Sequence, residues 1–215
     1  MIKQGIKFNN FHSYDDFQLV LTDVNIEPPE PYTNYVEVPG RDDYIDVSES
    51  LGEIRYKPRM CEFKFVSLLE DGISFEMRKS QIANAIHGKV CKIILDADAD
   101  YCYHGRCSVD SYSQKGNLRQ IVVTATVEAY KLKHEKTTVI AKVNGEAVIV
   151  CQNERMSYVP TIISDAEMRL VFNGSSYSIG AGTYILPDMK FVQGDNIITC
   201  NGTGTITFTY QEGAL

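Results

Sequence analysis

The residues with the greatest capacity for chemistry lie between positions 96 and 107. Asp96, Asp98 and Asp100 form a D-x-D-x-D string, the opening of an oxygen-ligand cage for calcium. An EF-hand loop also needs glycine at its sixth position and a bidentate glutamate at its twelfth. Tyr101 and Cys107 stand there instead, so the string reads as a solvated acidic turn between two strands. Immediately after it, CYHGRC places His104 between Cys102 and Cys107, a local cluster of soft ligands. Strand parity sends Cys102, His104 and Arg106 to one side and Tyr103 and Cys107 to the other, so the group does not converge on a metal. We expect a strand with a glycine at a kink, and no zinc.

Other chemistries find less support. The histidines are His12, His87, His104 and His134, and no G-x-S-x-G elbow supplies a nucleophile for them. GSSYSIGAG, around Ser176, reads as a glycine-rich hairpin, and Gly180-Ala181-Gly182 has no following helix to receive a phosphate. His87, just before Gly88, is accounted for by its place at a helix C-terminus. The sequons Asn173-Gly174-Ser175 and Asn201-Gly202-Thr203 read as turn chemistry. Cys61, Cys91, Cys102, Cys107, Cys151 and Cys200 contain no C-x-x-C pair and are expected as reduced core or near-surface thiols. We expect no catalytic residue, no cofactor and no metal.

The elements around these residues are mostly strands. FQLVLTDVNI, YTNYVEV, RMCEFKFVSL, KVCKIILDAD and QIVVTATVEAY alternate apolar and polar residues between Pro-, Gly- or Asp-rich turns. One helix is predicted over 74–87, with Ser74 as N-cap, Glu76 in the first turn, Phe75, Ile82 and Ile86 on one face, and Gly88 at C′. After position 134 the chain changes character. It falls from 16 basic and 20 acidic residues to 5 and 8, and carries eight of the 15 glycines. Asn144-Gly145, Asn173-Gly174 and Asn201-Gly202 are read as hairpin turns. The charged segment Tyr130 to Thr138 reads as a linker. This gives a mainly β chain of two domains: 1–133, strand-rich with the helix, and 138–215, a small antiparallel β-sandwich. Arg41, Asp42 and Asp43 sit at a turn between two strands, where a charged loop either seats a neighbouring subunit or is only a solvated hairpin tip.

The net charge of −7 disfavours nucleic acid and anionic membrane as partners. MIKQGIKFNN lacks the apolar run of a secretory signal, and no segment approaches the ~20 apolar residues of a membrane span. The expected place of synthesis is a cytoplasm.

The order of segments carries a resemblance. GIKFNNFHSYDDFQLVL, VEVPGRDDYIDVSESLGEIRYKPRMCEFKF, the helix ending in AIHGK, YCYHGRCSVDSY, GNLRQIVVTATVEAYKLK and TCNGTGTITFTYQEGAL together resemble the distal tail protein family of long-tailed phages and prophages of Gram-positive bacteria. The resemblance covers nearly the whole chain. It implies a non-enzymatic homo-hexameric ring at the virion tail tip, made in the bacterial host cytoplasm. The ring is formed by an N-terminal β domain with one helix and a protruding hairpin, and a galectin-like sandwich faces outward. It implies as partners the tail-tube protein, the tape-measure protein, a tail-associated lysin or tail-tip protein, and receptor-binding or baseplate proteins, with DNA passing through the channel. The alternative is a carbohydrate-binding module for adhesion to the host cell wall. Without tryptophan, its candidate platforms are Tyr158, Tyr177 and Tyr184, which read rather as sheet residues.

Overall fold

The computed structural model describes residues 5–50, 52–67, 74–115 and 118–215. Residues 1–4 of the opening segment, Leu68 at the end of RMCEFKFVSL, and Gly116 and Asn117 of GNLRQIVVTATVEAYKLK lie outside them. The chain divides into two compact units, one running to Lys131 together with Leu215, the other spanning Leu132–Ala214.

The first unit contains β1 (Ile6–Phe8), β2 (Phe11–His12), β3 (Leu19–Ile26), β4 (Tyr35–Glu37), β5 (Tyr44–Asp46), β6 (Arg59–Ser67), helix α1 (Phe75–Ile86), β7 (Val90–Leu95), β8 (Tyr101–Lys115) and β9 (Leu118–Val127). Its main sheet is antiparallel, in the order β2-β1-β7-β8-β9-β6-β3. In β6 every second residue is buried, from Cys61 through Phe63 and Phe65 to Ser67, which is the two-residue period of a strand with one dry face. Phe63 and Phe65 meet Phe8 edge-on at 6.0 and 6.4 Å. Helix α1 covers this face with Phe75, Ile82 and Ile86. The Ser74 side chain accepts from the Met77 N–H at 3.3 Å, and Gly88 takes φ +73° just beyond the His87 C-cap. Arg78 is also buried on that face, with Nη1 donating to the Asp16 carbonyl at 3.3 Å. The apolar stripe does not reveal this, because a long guanidinium reaches its acceptor 62 positions away.

The junction carries β10 (Lys131–Lys133). The second unit then contains β11 (Thr137–Asn153), β12 (Thr161–Ser164), β13 (Met168–Phe172), β14 (Ser175–Ile179), β15 (Gly182–Ile185), β16 (Gly194–Tyr210) and β17 (Gly213–Ala214). The segment expected as a linker is therefore partly structured. Lys133 donates its backbone N–H to the Glu212 carbonyl at 2.9 Å, and its ammonium meets the Glu212 carboxylate at 2.8 Å.

Six strands of this unit form one antiparallel sheet, β14-β13-β16-β12-β15, with β11 paired along the whole of β16. The sheet is bent into two layers. Residues Thr199–Gly202 of β16 pair with β13, and Ile206–Thr209 pair with β12. A straight strand from Asp195 to Tyr210 would span ~50 Å at ~3.3 Å per residue. Yet Tyr210 Oη donates to the carbonyl of Gln152, which is the partner of Asp195, at 2.5 Å. The two ends of the paired β11–β16 ribbon therefore meet, and the sheet folds over a core of Phe172, Phe191, Phe208 and Tyr210.

The fold line runs through the glycines. Gly145 (φ +87°) stands opposite Gly202 (φ +156°), and Gly204 follows at φ +154°. Only Asn173-Gly174, at φ +47° and +79°, is the hairpin turn expected of it, between β13 and β14. Asn144-Gly145 and Asn201-Gly202 lie inside strands, facing one another. The dipeptide signals positive φ, and here positive φ serves a bend shared by two long strands.

Candidate assembly surface

From Val20 to Pro58 no described residue is buried, in contrast to the alternating strands on either side. Beyond β3, which stays paired with β6, the rest of this stretch leaves the main sheet and forms an arm. Its root is tied by an isolated bridge between Pro31 and Tyr56, by Tyr32 N–H to the Arg55 carbonyl at 2.8 Å, and by Lys57 N–H to the Glu30 carbonyl at 2.7 Å. The Lys57 ammonium adds an exposed ion pair to Glu30 at 3.0 Å. Further out, β4 and β5 make a separate two-stranded sheet, with Tyr35 opposite Asp46, Val36 opposite Ile45 and Glu37 opposite Tyr44.

Alternation places Val36 and Ile45 on one face of this ribbon and Tyr35 and Tyr44 on the other, their rings 5.3 Å apart. All four side chains are exposed, Tyr44 by 62%. A lone two-stranded ribbon is marginal in water, and its apolar residues on both faces form a candidate contact surface. Where β5 ends, the Ser48 hydroxyl and then its backbone N–H donate to Asp46, and these hydrogen bonds hold the Asp46 carboxyl below the ordinary carboxylate range. The tip loop from Glu37 to Tyr44 closes with Arg41 N–H on the Val38 carbonyl at 3.1 Å and Gly40 at φ +82°. It cups a concavity of about 460 Å³. Arg41, Asp42 and Asp43 line that concavity and are exposed.

The residues expected to be chemically inert take structural positions. Asp96 Oδ2 accepts from the Gly5 N–H at 2.7 Å and from His12 Nε2 at 3.1 Å, and Asp98 pairs with the Lys131 ammonium at 2.7 Å. Two of the three aspartates of this exposed turn are thus also ties between segments. Their partners lie at least 33 positions away in sequence, beyond the reach of a local pattern. His87 is more than a dipole partner, because its Nδ1 accepts from the Val109 N–H at 3.0 Å. Cys102 Sγ lies 3.5 Å from His104 Nε2, but among the described residues no group of three His, Cys, Asp or Glu is placed to hold a metal ion. The Ser176 hydroxyl accepts from Arg169 Nε at 2.7 Å. Tyr158, Tyr177 and Tyr184 pack against the second unit's core, and Tyr184 Oη accepts from the Gly180 N–H. Among the described residues no helix is long and apolar enough to cross a membrane.

All six cysteines are free and buried. Burial lifts the Cys61 and Cys200 thiols from 9.0 to about 11 and that of Cys151 to about 12. It raises Cys102 and Cys107 as well, the latter with Cys91 against it. A thiol-selective reagent is therefore expected to leave the folded protein unlabelled near neutral pH and to label it only in denaturant. The linkage has a definite sign. Below 9.0 both states keep their protons. Between 9.0 and about 11–12 the unfolded chain releases protons that the fold retains, so stability falls as pH rises through that window. Urea midpoints measured at about pH 8 and about pH 10 will show the decline.

Among solved structures the chain is similar to the crystal structure of the SPP1 Dit (gp 19.1) protein, described as a paradigm of the hub adsorption apparatus in phages infecting Gram-positive bacteria. The TM-score is 0.70 over 99% of this chain and 99% of that one, at 12% sequence identity. Likeness at that identity is likeness of fold. No protein-family model and no curated protein matches the sequence.

Proposed function

We propose that the chain is a non-enzymatic distal tail protein of a long-tailed phage or prophage, six copies of which close into a hub ring at the tail tip. Residues 1–133 form the ring. Residues 138–215, the galectin-like part, face outward. The arm carries the contact between neighbours, with Arg41, Asp42 and Asp43 at its tip seated on the next subunit in head-to-tail fashion. The ring joins the tail tube and tape-measure protein to the lysin or tail-tip protein and to the receptor-binding proteins, and DNA leaves through its channel.

The observation that carries this reading is the arm. Its two faces expose Val36, Ile45, Tyr35 and Tyr44, and it sits on a fold shared end to end with a hub protein. Exposed apolar side chains on a ribbon too thin to stabilise itself find their burial in a neighbour.

The test is the mass in solution of the full chain and of Val36→Asp/Ile45→Asp, which charges one face of the ribbon far from either core. The wild type is expected to form sixfold rings, alone or with tail proteins, visible in averaged micrographs. The variant is expected to stay monomeric while its melting curve is unchanged, since neither side chain is buried in the monomer. A wild-type monomer at high concentration, with or without tail proteins, would overturn the reading.

A further inference from the structure

The second unit has a feature that ring formation through the arm leaves unused. β11 pairs only with β16 among the described strands, so one edge of its 17 residues is open. An open edge of that length is a template for another strand. The side chains that β11 turns to solvent are arranged symmetrically about Asn144. Lys142 precedes it by two and Glu146 follows by two; Ile140 and Val148 flank these, then Thr138 and Val150. Ile140 and Val148 are 66% and 63% exposed. Lys142 and Glu146 are exposed and form no ion pair among the described residues.

A sequence symmetric in this sense is complementary to itself when reversed. Laid antiparallel with Asn144 opposite Asn144 of a second copy, Lys142 meets Glu146 of that copy, twice. Ile140 covers Val148 and Thr138 covers Val150, again twice. A parallel in-register pairing would set Lys142 against Lys142, and an antiparallel shift by two would set it against Asn144 or Val148. The bend is compatible as well. A two-fold axis normal to the sheet keeps the exposed faces on one side, and both strands fold at the same place, beside Gly145.

We propose that two copies of this chain pair antiparallel through the open edge of β11, about a two-fold axis at Asn144. The contact is isologous and independent of the arm. A head-to-tail ring by itself brings no residue against its own copy.

Asn144→Cys tests the axis. Residues directly opposite in an antiparallel pair lie ~4.5–5.5 Å apart at Cα, within disulfide range, and the six native thiols are buried. Mild oxidation of the native full chain is expected to give a covalent dimer from Asn144→Cys and none from Thr138→Cys, whose position faces Val150 of the other copy. Sedimentation tests the charges. Lys142→Glu and Glu146→Lys are each expected to weaken pairing about tenfold, since two attractive pairs become repulsive. The double variant is expected to restore it. Equal cross-linking at 144 and 138, or a double variant as weak as the singles, would overturn the proposal. Loss of the arm contacts alone would leave the cross-link at 144 intact.

Discussion

Gly105→Ala is expected to destabilise the first unit by at least ~3 kcal/mol, although it adds a single methyl group. Gly105 of β8 pairs with Val127 of β9. A Cβ there would stand 2.6 Å from the Val127 Cα and 2.7 Å from its Cγ1, and closer still to the Thr126 carbonyl oxygen. The Cα and the carbonyl oxygen are backbone atoms of a strand bonded on its far side to β6 through Arg59, so the clash cannot be relieved by turning a side chain. Gly88 provides the contrast. Its φ is +73° but its Cβ direction is open, and Gly88→Ala is expected to cost only ~1 kcal/mol of backbone strain. Chemical denaturation of the full chain measures both changes. Thiol labelling identifies the unit that opens, because Cys61, Cys91, Cys102 and Cys107 report on the first and Cys151 and Cys200 on the second. A Gly105→Ala protein as stable as Gly88→Ala would show that β8 and β9 can separate locally without loss of the core.

Gly204→Ala is expected to cost about 3–5 kcal/mol in the second unit. Two penalties act together. The position has φ +154°, which side chains rarely adopt, and a Cβ would press on the Asp165 carboxylate and stand 2.8 Å from the Ala166 Cβ. Asp165 accepts the Thr205 N–H at 2.6 Å and donates its own backbone N–H to the Thr205 carbonyl at 3.2 Å. These bonds fix the crossing where β16 passes from β13 to β12. Opening that crossing unfolds the layers from each other, so Cys151 and Cys200 should become reactive while the first unit's thiols stay protected. Tyr210→Phe, which removes the hydrogen bond to Gln152, is expected to cost only ~1 kcal/mol, since the ring's contact with Phe191 at 5.1 Å remains. If Gly204→Ala melts with the wild type, the bend is not held at this crossing.

Much of the architecture is legible in the residues. The Ser74 cap, the Phe75/Ile82/Ile86 stripe and Gly88 define α1 to within a residue, because capping and periodicity act within one or two turns. The alternation of β6 and β9 is equally local. The tip at Arg41–Asp43 is legible as a turn because Pro39-Gly40 and the paired aspartates favour one. That the ribbon carrying it leaves the main sheet is not, since Tyr35, Val36, Tyr44 and Ile45 have the composition of a buried strand. The Asn-Gly dipeptides divide in the same way. The local preference for positive φ holds at Gly174 and Gly145 alike, and only the partner strand decides whether it makes a turn or a bend.

The sequence by itself therefore determined the mainly β character of the chain and the position of its helix, and it is the source of the expectation that the thiols are reduced. Each of these depends on residues close together along the chain. Tertiary structure decided that Asp96 ties Gly5 and His12, that Lys133 holds Glu212, and that the long β11–β16 pair folds back until Tyr210 reaches Gln152. It also decided that the arm and the outer edge of β11 are left uncovered. The physical reason is that strand pairing joins residues separated by tens of positions, and its register is set by which faces the whole core can bury.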